Sequence, residues 1–125
     1  MDIKKQIEYW RLTAENDIET AEILIKSGKF IEGMFFCHLS IEKMIKANLV
    51  KHTLNIPPKS HDLFYLLDLA EIEYTKEQQD LMQILMKYQL EGRYPEYYPK
   101  APSVEKINDY LCQTRNLFQC FNKML

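Results

Sequence analysis

The sequence has few of the residues that form turns, and it has no excess of positive charge. Its 125 residues include only three Gly and five Pro. These are too few for the many turns of an all-β sandwich, so helices are favoured. With 16 Lys and Arg against 18 Asp and Glu, the formal net charge is −2. This balance argues against a general nucleic-acid binder, because phosphate neutralisation needs a basic excess, but it leaves room for a local basic face.

Long apolar runs and paired cysteines are also missing. No run approaches the roughly 18 residues of a membrane span, and the first residues lack the apolar stretch of a secretory signal. Cys37, Cys112 and Cys120 are odd in number and widely spaced, which argues against a disulfide scaffold and favours a reducing cytoplasm. The 46% of hydrophobic residues is typical of an ordered core, and the length predicts one domain over residues 1–125.

Apolar residues recur at helical spacing in three long segments. The first segment repeats at intervals of three and four, and Gly28 is placed to end that helix. A second helix, from about Phe30 to Thr53, is apolar on several sides, which predicts a central position. The last segment repeats the strict spacing after Ser103, a predicted N-cap. The two strict stripes are Ile3, Ile7, Trp10, Ala14, Ile18, Ala21 and Ile25, and Val104, Ile107, Leu111, Thr114, Phe118, Phe121 and Leu125.

Two further helices are predicted between these segments. Residues 61–70 form a short third helix after the break at two consecutive prolines. Thr75 and Gln78 form a capping box that opens a fourth helix, and Gly92 is expected to end it. Residues 93–102 contain three prolines and predict an extended loop. No strand pattern occurs. The predicted fold is therefore all-α, an antiparallel four-helix up-and-down bundle with an additional short helix, five helices in total.

Positive charge is concentrated in two stretches of the chain. Residues 42–61 carry four basic and one acidic side chains, and residues 92–125 carry five basic and three acidic ones. If the two stretches adjoin in the fold, they form one modest anion-attracting face. Patches of this size are also typical of an ordinary solvated surface.

The sequence contains no motif for a metal or a cofactor. Its three glycines are too isolated for a Gly-rich phosphate loop, and Cys112 and Cys120 have no third zinc ligand nearby. Cys37 and His38 are adjacent and would suggest a nucleophile with its base. Adjacent helical positions point about 100° apart, however, so we expect both side chains to pack in the core.

Two pairs of polar residues each allow a structural and a functional interpretation. Glu42 and Lys46 are four residues apart, in the order that stabilises a helix. They are either an ordinary surface ion pair or part of a site. His61 and Asp62 follow the prolines. Asp62 either caps the third helix while His61 satisfies a backbone group, or both belong to a site.

The tyrosine-proline loop has the same ambiguity. Arg93 could bind phosphate with two parallel hydrogen bonds while Tyr94, Tyr97 or Tyr98 stacks on a base. Alternatively, Arg93 caps the last carbonyl groups of the fourth helix and the tyrosines close the end of the bundle. The sequence alone favours neither interpretation.

The order and spacing of these segments resemble the HEPN-domain family over nearly the whole chain. The matching segments are Tyr9-Trp10 with residues 14–21, Gly28-Lys29-Phe30, residues 36–47, His61-Asp62-Leu63 and Arg93-Tyr94-Pro95. The resemblance implies an antiparallel bundle of four or five helices, often dimeric, with a role around nucleotides or RNA. The recurring polar positions of the family match Glu42, Lys46, His61, Asp62, Arg93 and Tyr94.

The resemblance also implies a partner protein. Many such proteins are encoded with a minimal nucleotidyltransferase and act with it, in toxin–antitoxin pairs or as a substrate-binding subunit. The ribonuclease members of the family carry an Arg followed, after four to six residues, by His. Here the last histidine is His61, which precedes Arg93 and Arg115, and the positions required after Arg11 hold no His. The acid–base group and its paired cation are therefore missing as a unit.

We therefore expect a non-catalytic, cytoplasmic homodimer that binds a nucleotide or a nucleic-acid phosphate and acts with a minimal nucleotidyltransferase. Arg93, Lys46 and His61 would contact phosphate, Tyr94 would stack, and Glu42 and Asp62 would orient the cations. No catalytic residue, metal, cofactor or membrane contact is predicted. The alternatives are a pure interaction module that pairs through its helix stripes, an enzyme acting through His61 and Asp62, and a ribonuclease with a degenerate site.

Overall fold

The computed structural model describes residues 1–125 and is 72% helical, with no strand. Its helices are α1 (Ile3–Lys26), α2 (Phe30–Thr53), α3 (Leu63–Ala70), α4 (Lys76–Met86) and α5 (Val104–Lys123), and a short 3₁₀ helix, Pro95–Tyr97, lies between α4 and α5. The prediction of an all-α, five-helix bundle is confirmed. None of the helices combines the length and the apolarity that a membrane span requires.

Local sequence signals account for most helix ends. Asp62 Oδ1 accepts hydrogen bonds from two N–H groups in the first turn of α3, and Ser103 Oγ accepts one from the first turn of α5. Thr75 and Gln78 form the predicted reciprocal capping box. Gly28 follows α1 with φ +82°, the left-handed conformation that glycine adopts without steric cost. Each of the N-caps at Asp62, Thr75 and Ser103 contributes about 1 kcal/mol to the free energy of unfolding.

The end of α4 is an exception. The prediction that Gly92 ends this helix is wrong, since α4 stops at Met86. The N–H groups of residues 87–89 bond to carbonyl groups three residues back, the tightened pattern that commonly finishes a helix. Gly92, at φ +78°, lies in a separate turn that the Arg93 N–H closes on Leu90 O at 3.0 Å. The loop predicted to be extended also contains the 3₁₀ helix.

α2 occupies the predicted central position and packs against all four other α-helices. The core is one cluster of 23 buried hydrophobic residues. It includes Ala14, Ile18, Ala21 and Ile25 of the α1 stripe, and Ile107, Leu111, Phe118 and Phe121 of the α5 stripe. The larger part of each stripe therefore faces the interior. Fully burying one large aliphatic or aromatic side chain contributes about 1.5–3 kcal/mol. Cys37 and His38 are completely buried in α2, as expected.

Candidate functional site

The central feature of the candidate site is an ion pair inside the bundle. Glu42 is 2% exposed and Lys46 5%, and Lys46 Nζ donates to Glu42 Oε2 at 3.1 Å. This burial excludes the surface ion pair that the spacing alone allowed. A buried charge is costly unless it is paired and hydrogen-bonded. The surroundings of this pair must therefore satisfy the remaining oxygen of Glu42.

His61 supplies that contact from the loop between α2 and α3. Its Nδ1 lies 2.8 Å from Glu42 Oε1, and its Nε2 lies 3.0 Å from Glu91 Oε2. When both ring nitrogens carry protons, both contacts are ion pairs, and the contact to Glu42 also has the geometry of a hydrogen bond. In that state His61 is an imidazolium between two carboxylates. It links α2 to the segment that follows α4.

Neutral His38, on α2, contacts the backbone of the same loop. Its Nε2 lies 3.1 Å from the His61 carbonyl oxygen, which can only accept, so Nε2 carries the proton. Its Nδ1 lies 3.9 Å from Glu42 Oε1 and has no hydrogen-bond partner. Burial lowers the pKa of His38 below the usual 6.5, and the nearby Glu42 carboxylate only partly opposes this shift.

α1 closes the cluster from the other side. The ammonium group of Lys46 lies 5.3 Å from the centroid of the Trp10 ring, a cation–π distance. Two helical turns further on, the buried Asp17 Oδ2 lies 2.6 Å from Lys43 Nζ. Burial raises the pKa of Asp17, while the hydrogen bond from Lys43 opposes the shift. One ion pair, Asp17–Lys43, thus crosses the interface between α1 and α2.

Asp62, Arg93 and Tyr94 make no hydrogen bond or ion pair with Glu42, Lys46 or His61. The Asp62 carboxylate caps α3, as described above. Arg93 Nη1 donates to Lys87 O at 3.0 Å and Nη2 donates to Tyr97 O, so the guanidinium group closes its own loop and the end of α4. The Tyr94 side chain is 71% exposed, and its ring centroid lies 6.5 Å from that of Tyr97.

The structure thus joins three of the six predicted residues directly. It leaves Asp62 as the cap of α3 and attaches the loop of Arg93 and Tyr94 to His61 through Glu91. Sequence reasoning missed Glu91, Asp17 and the polar role of His38. No periodicity marks Glu91. Asp17 carried a usable signal, because it lies beside Trp10, Ala14 and Ile18 on the core-facing side of α1 and a carboxylate there needs a partner.

The predicted anion-attracting face is weaker than the charge count suggests. Lys43 and Lys46, two of the four cations in residues 42–61, pair with carboxylates inside the bundle. Arg115, in the second basic stretch, pairs with Glu22 at 2.7 Å. In the same stretch Arg93 is exposed, but it lies between Glu91 and Glu96 in its loop.

The main surface grooves do not reach the ionic cluster. Four grooves have volumes of about 320 to 460 Å³, and none of these four is lined by Glu42, Lys46 or His61. The largest lies between the α1–α2 turn and α5 and includes Lys26 and Arg115. No group of three or more His, Cys, Asp or Glu side chains is arranged to hold a metal ion. The Glu42–Lys46 pair is buried, while His61 reaches the surface beside the exposed arginine-tyrosine loop.

These features define a helical-bundle protein with a buried ionic cluster on its central helix. A family model for the HEPN domain matches residues 7–124, nearly the whole chain, and the chain belongs to this family. HEPN domains are often involved in nucleotide or RNA binding or in RNA cleavage. No curated protein and no solved structure matches the sequence.

Proposed function

We propose that this HEPN domain, residues 1–125, is non-catalytic and binds a nucleotide or a nucleic-acid phosphate at the loop of Arg93 and Tyr94. The observation that carries the proposal is the contact between His61 and Glu91. It fixes the loop against the cluster in which Glu42, Lys46 and His61 meet. This contact supports a site to which separate parts of the chain contribute.

The proposed roles of the residues follow their exposure. The Arg93 guanidinium is on the surface and carries five donors, of which its own loop uses only some. Tyr94 presents an open ring, and stacking of one base on such a ring contributes about 1–3 kcal/mol. Lys46 is too deeply buried to touch a ligand, so in the proposal Lys46 and Glu42 act by holding His61.

The proposed assembly includes a second copy of the chain and a minimal nucleotidyltransferase, in a toxin–antitoxin pair or as its substrate-binding subunit. A surface suited to a partner lies on α1, where Tyr9, Leu12 and Ile23 are exposed. Leu12 and Ile23 are 11 residues, three helical turns, apart and share one face. All three cysteines are free, which supports the proposed cytoplasmic location.

Thermal unfolding of the protein with nucleotides and short single-stranded RNA tests the binding proposal. A ligand at 100 times its Kd adds about 2.7 kcal/mol, a shift of roughly several degrees for a domain of this size. We expect a shift that shrinks at high salt and is lost in Tyr94→Ala. Tyr65→Ala, at another exposed tyrosine, is the matched control and should keep the shift. A flat response to every ligand would overturn nucleotide binding by the chain itself.

The exposed α1 surface favours a second candidate, a pure interaction module. Most of the strict α1 and α5 stripes, from Ala14 to Ile25 and from Ile107 to Phe121, is buried in the chain's own core and does not provide the seam. Light scattering with Ile23→Glu tests the alternative surface. A dimer that becomes a monomer in this variant would support association through α1. A wild-type protein that stays monomeric at micromolar concentration would reject the homodimer.

A further inference from the structure

His61 lies between two carboxylates with opposite surroundings. The Glu42 side chain is 3% exposed, whereas that of Glu91 is 64% exposed, and the imidazole between them is 40% exposed. The two contacts have nearly the same length, 2.8 and 3.0 Å. One side of the imidazole is therefore anchored in the protein interior, and the other side holds a surface residue.

The contact between His61 and Glu91 is the polar contact that attaches the exposed loop of residues 91–98 to the rest of the bundle. Residues 91–98 make no other hydrogen bond or ion pair with α1, α2, α3 or α5. The Arg93 guanidinium donates within the loop and to the end of α4. The Tyr94 and Tyr97 side chains are exposed. Losing the His61 contact would therefore leave this loop attached through its two ends.

Deprotonation of His61 can preserve one of the two contacts but not both. A neutral imidazole has one donor and one acceptor nitrogen, so one carboxylate then faces a lone pair. Imidazoles change charge between about pH 5 and 8. Glu42 cannot turn to water and is held by Lys46, and the His61 backbone is held by His38. Glu91, already exposed, is the partner that leaves.

We propose that His61 is a proton-operated clasp: when protonated it holds Glu91 and the loop of residues 91–98 against the bundle, and its deprotonation releases them. The charged or titratable groups on the surrounding elements are Asp17 and Lys43 at the α1–α2 interface, His38, Glu42 and Lys46 on α2, Asp62 at the start of α3, and Glu91. This proposal does not rest on ligand binding.

Hydrogen exchange of the ligand-free protein, measured by mass spectrometry, tests the clasp. Protection of peptides covering residues 91–98 is compared on both sides of the His61 titration, which the ring signals of His61 define by NMR. After correction for the intrinsic pH dependence of exchange, we expect several-fold lower protection on the basic side. Peptides from α2 should not change.

Two loop variants make the result specific. Glu91→Gln removes the charge that attracts the imidazolium, so the loop should be weakly protected at both pH values. Glu96→Gln alters another exposed carboxylate of the same loop and should keep the pH dependence. Equal protection of the wild-type loop on both sides of the titration would overturn the clasp. So would an undiminished pH dependence in Glu91→Gln.

Discussion

Replacing Glu42 by Gln should strongly destabilise the bundle. The substitution keeps the size of the side chain but removes the charge that Lys46 and His61 both contact. His61 can turn to solvent, whereas Lys46 is 5% exposed and keeps only neutral partners, the new amide oxygen and the Trp10 ring. The cost therefore comes mainly from an ammonium group that is buried without its counter-ion.

The size of the effect follows from these surroundings. Removing one partner of a buried ion pair costs about 3–5 kcal/mol. The entropy of unfolding is about 2.1 cal/mol/K per residue near the thermal midpoint, so for a domain of this length the total entropy of unfolding is about 0.26 kcal/mol/K. The predicted decrease in Tm is therefore roughly 11–19 °C. Since domains have about 5–15 kcal/mol of total stability, the variant should still fold.

Thermal and urea unfolding followed by circular dichroism measure this effect. The matched control is Asp80→Asn, which breaks the Lys76–Asp80 ion pair on the exposed face of α4. This pair also has a spacing of four residues, and its N–O distance is 2.8 Å. An exposed pair of this kind contributes about 0.3–0.5 kcal/mol. A Glu42→Gln variant that loses no more stability than this control would refute the reasoning that the buried charges depend on one another.

Three other predictions concern single residues. Burial raises the pKa of Cys37 to about 12. A thiol reagent at pH 8 should therefore label exposed Cys112 in the native protein and leave Cys37 unlabelled, which peptide mass spectrometry measures. Equal labelling of the two cysteines would contradict the burial of Cys37. Because the pKa of His38 is lowered in the folded state, acidification protonates His38 in the unfolded chain before it protonates His38 in the folded chain. Stability should therefore fall as the pH drops below about 6.5, and Tm in His38→Gln should vary less over this range; an identical pH profile would count against it. Asp62→Ala should lower stability by about 1 kcal/mol through loss of the α3 N-cap, and an unchanged urea midpoint would argue against that role.

Most of the fold follows from local sequence patterns. The caps at Asp62, Thr75 and Ser103 depend on side chains within three residues of the helix start, so the sequence predicts them directly. The end of α4 does not follow from Gly92, because Tyr88 and Leu90 are buried. Packing turns the chain before the glycine, and a pattern search for helix-breaking residues does not detect this.

The site is less predictable because its contacts are long-range. The spacing of Glu42 and Lys46 predicts an ion pair but not its burial, which requires α1 and the His61 loop to cover it. Glu91 lies 30 residues from His61 in the sequence, and no periodic signal connects them. The family resemblance pointed to His61 and Arg93, but the structure shows that Glu91 makes the link between their segments.

Mapping a bound nucleotide by NMR tests the functional account most directly, and a 15.0 kDa chain suits the method. Titration with ATP or a short single-stranded RNA should shift the backbone amide signals of residues 91–98 and His61 most. These shifts should decrease at high salt and be reduced in Tyr94→Ala. Shifts centred on the groove of Lys26 and Arg115, or no shift at millimolar nucleotide, would contradict a phosphate site at this loop.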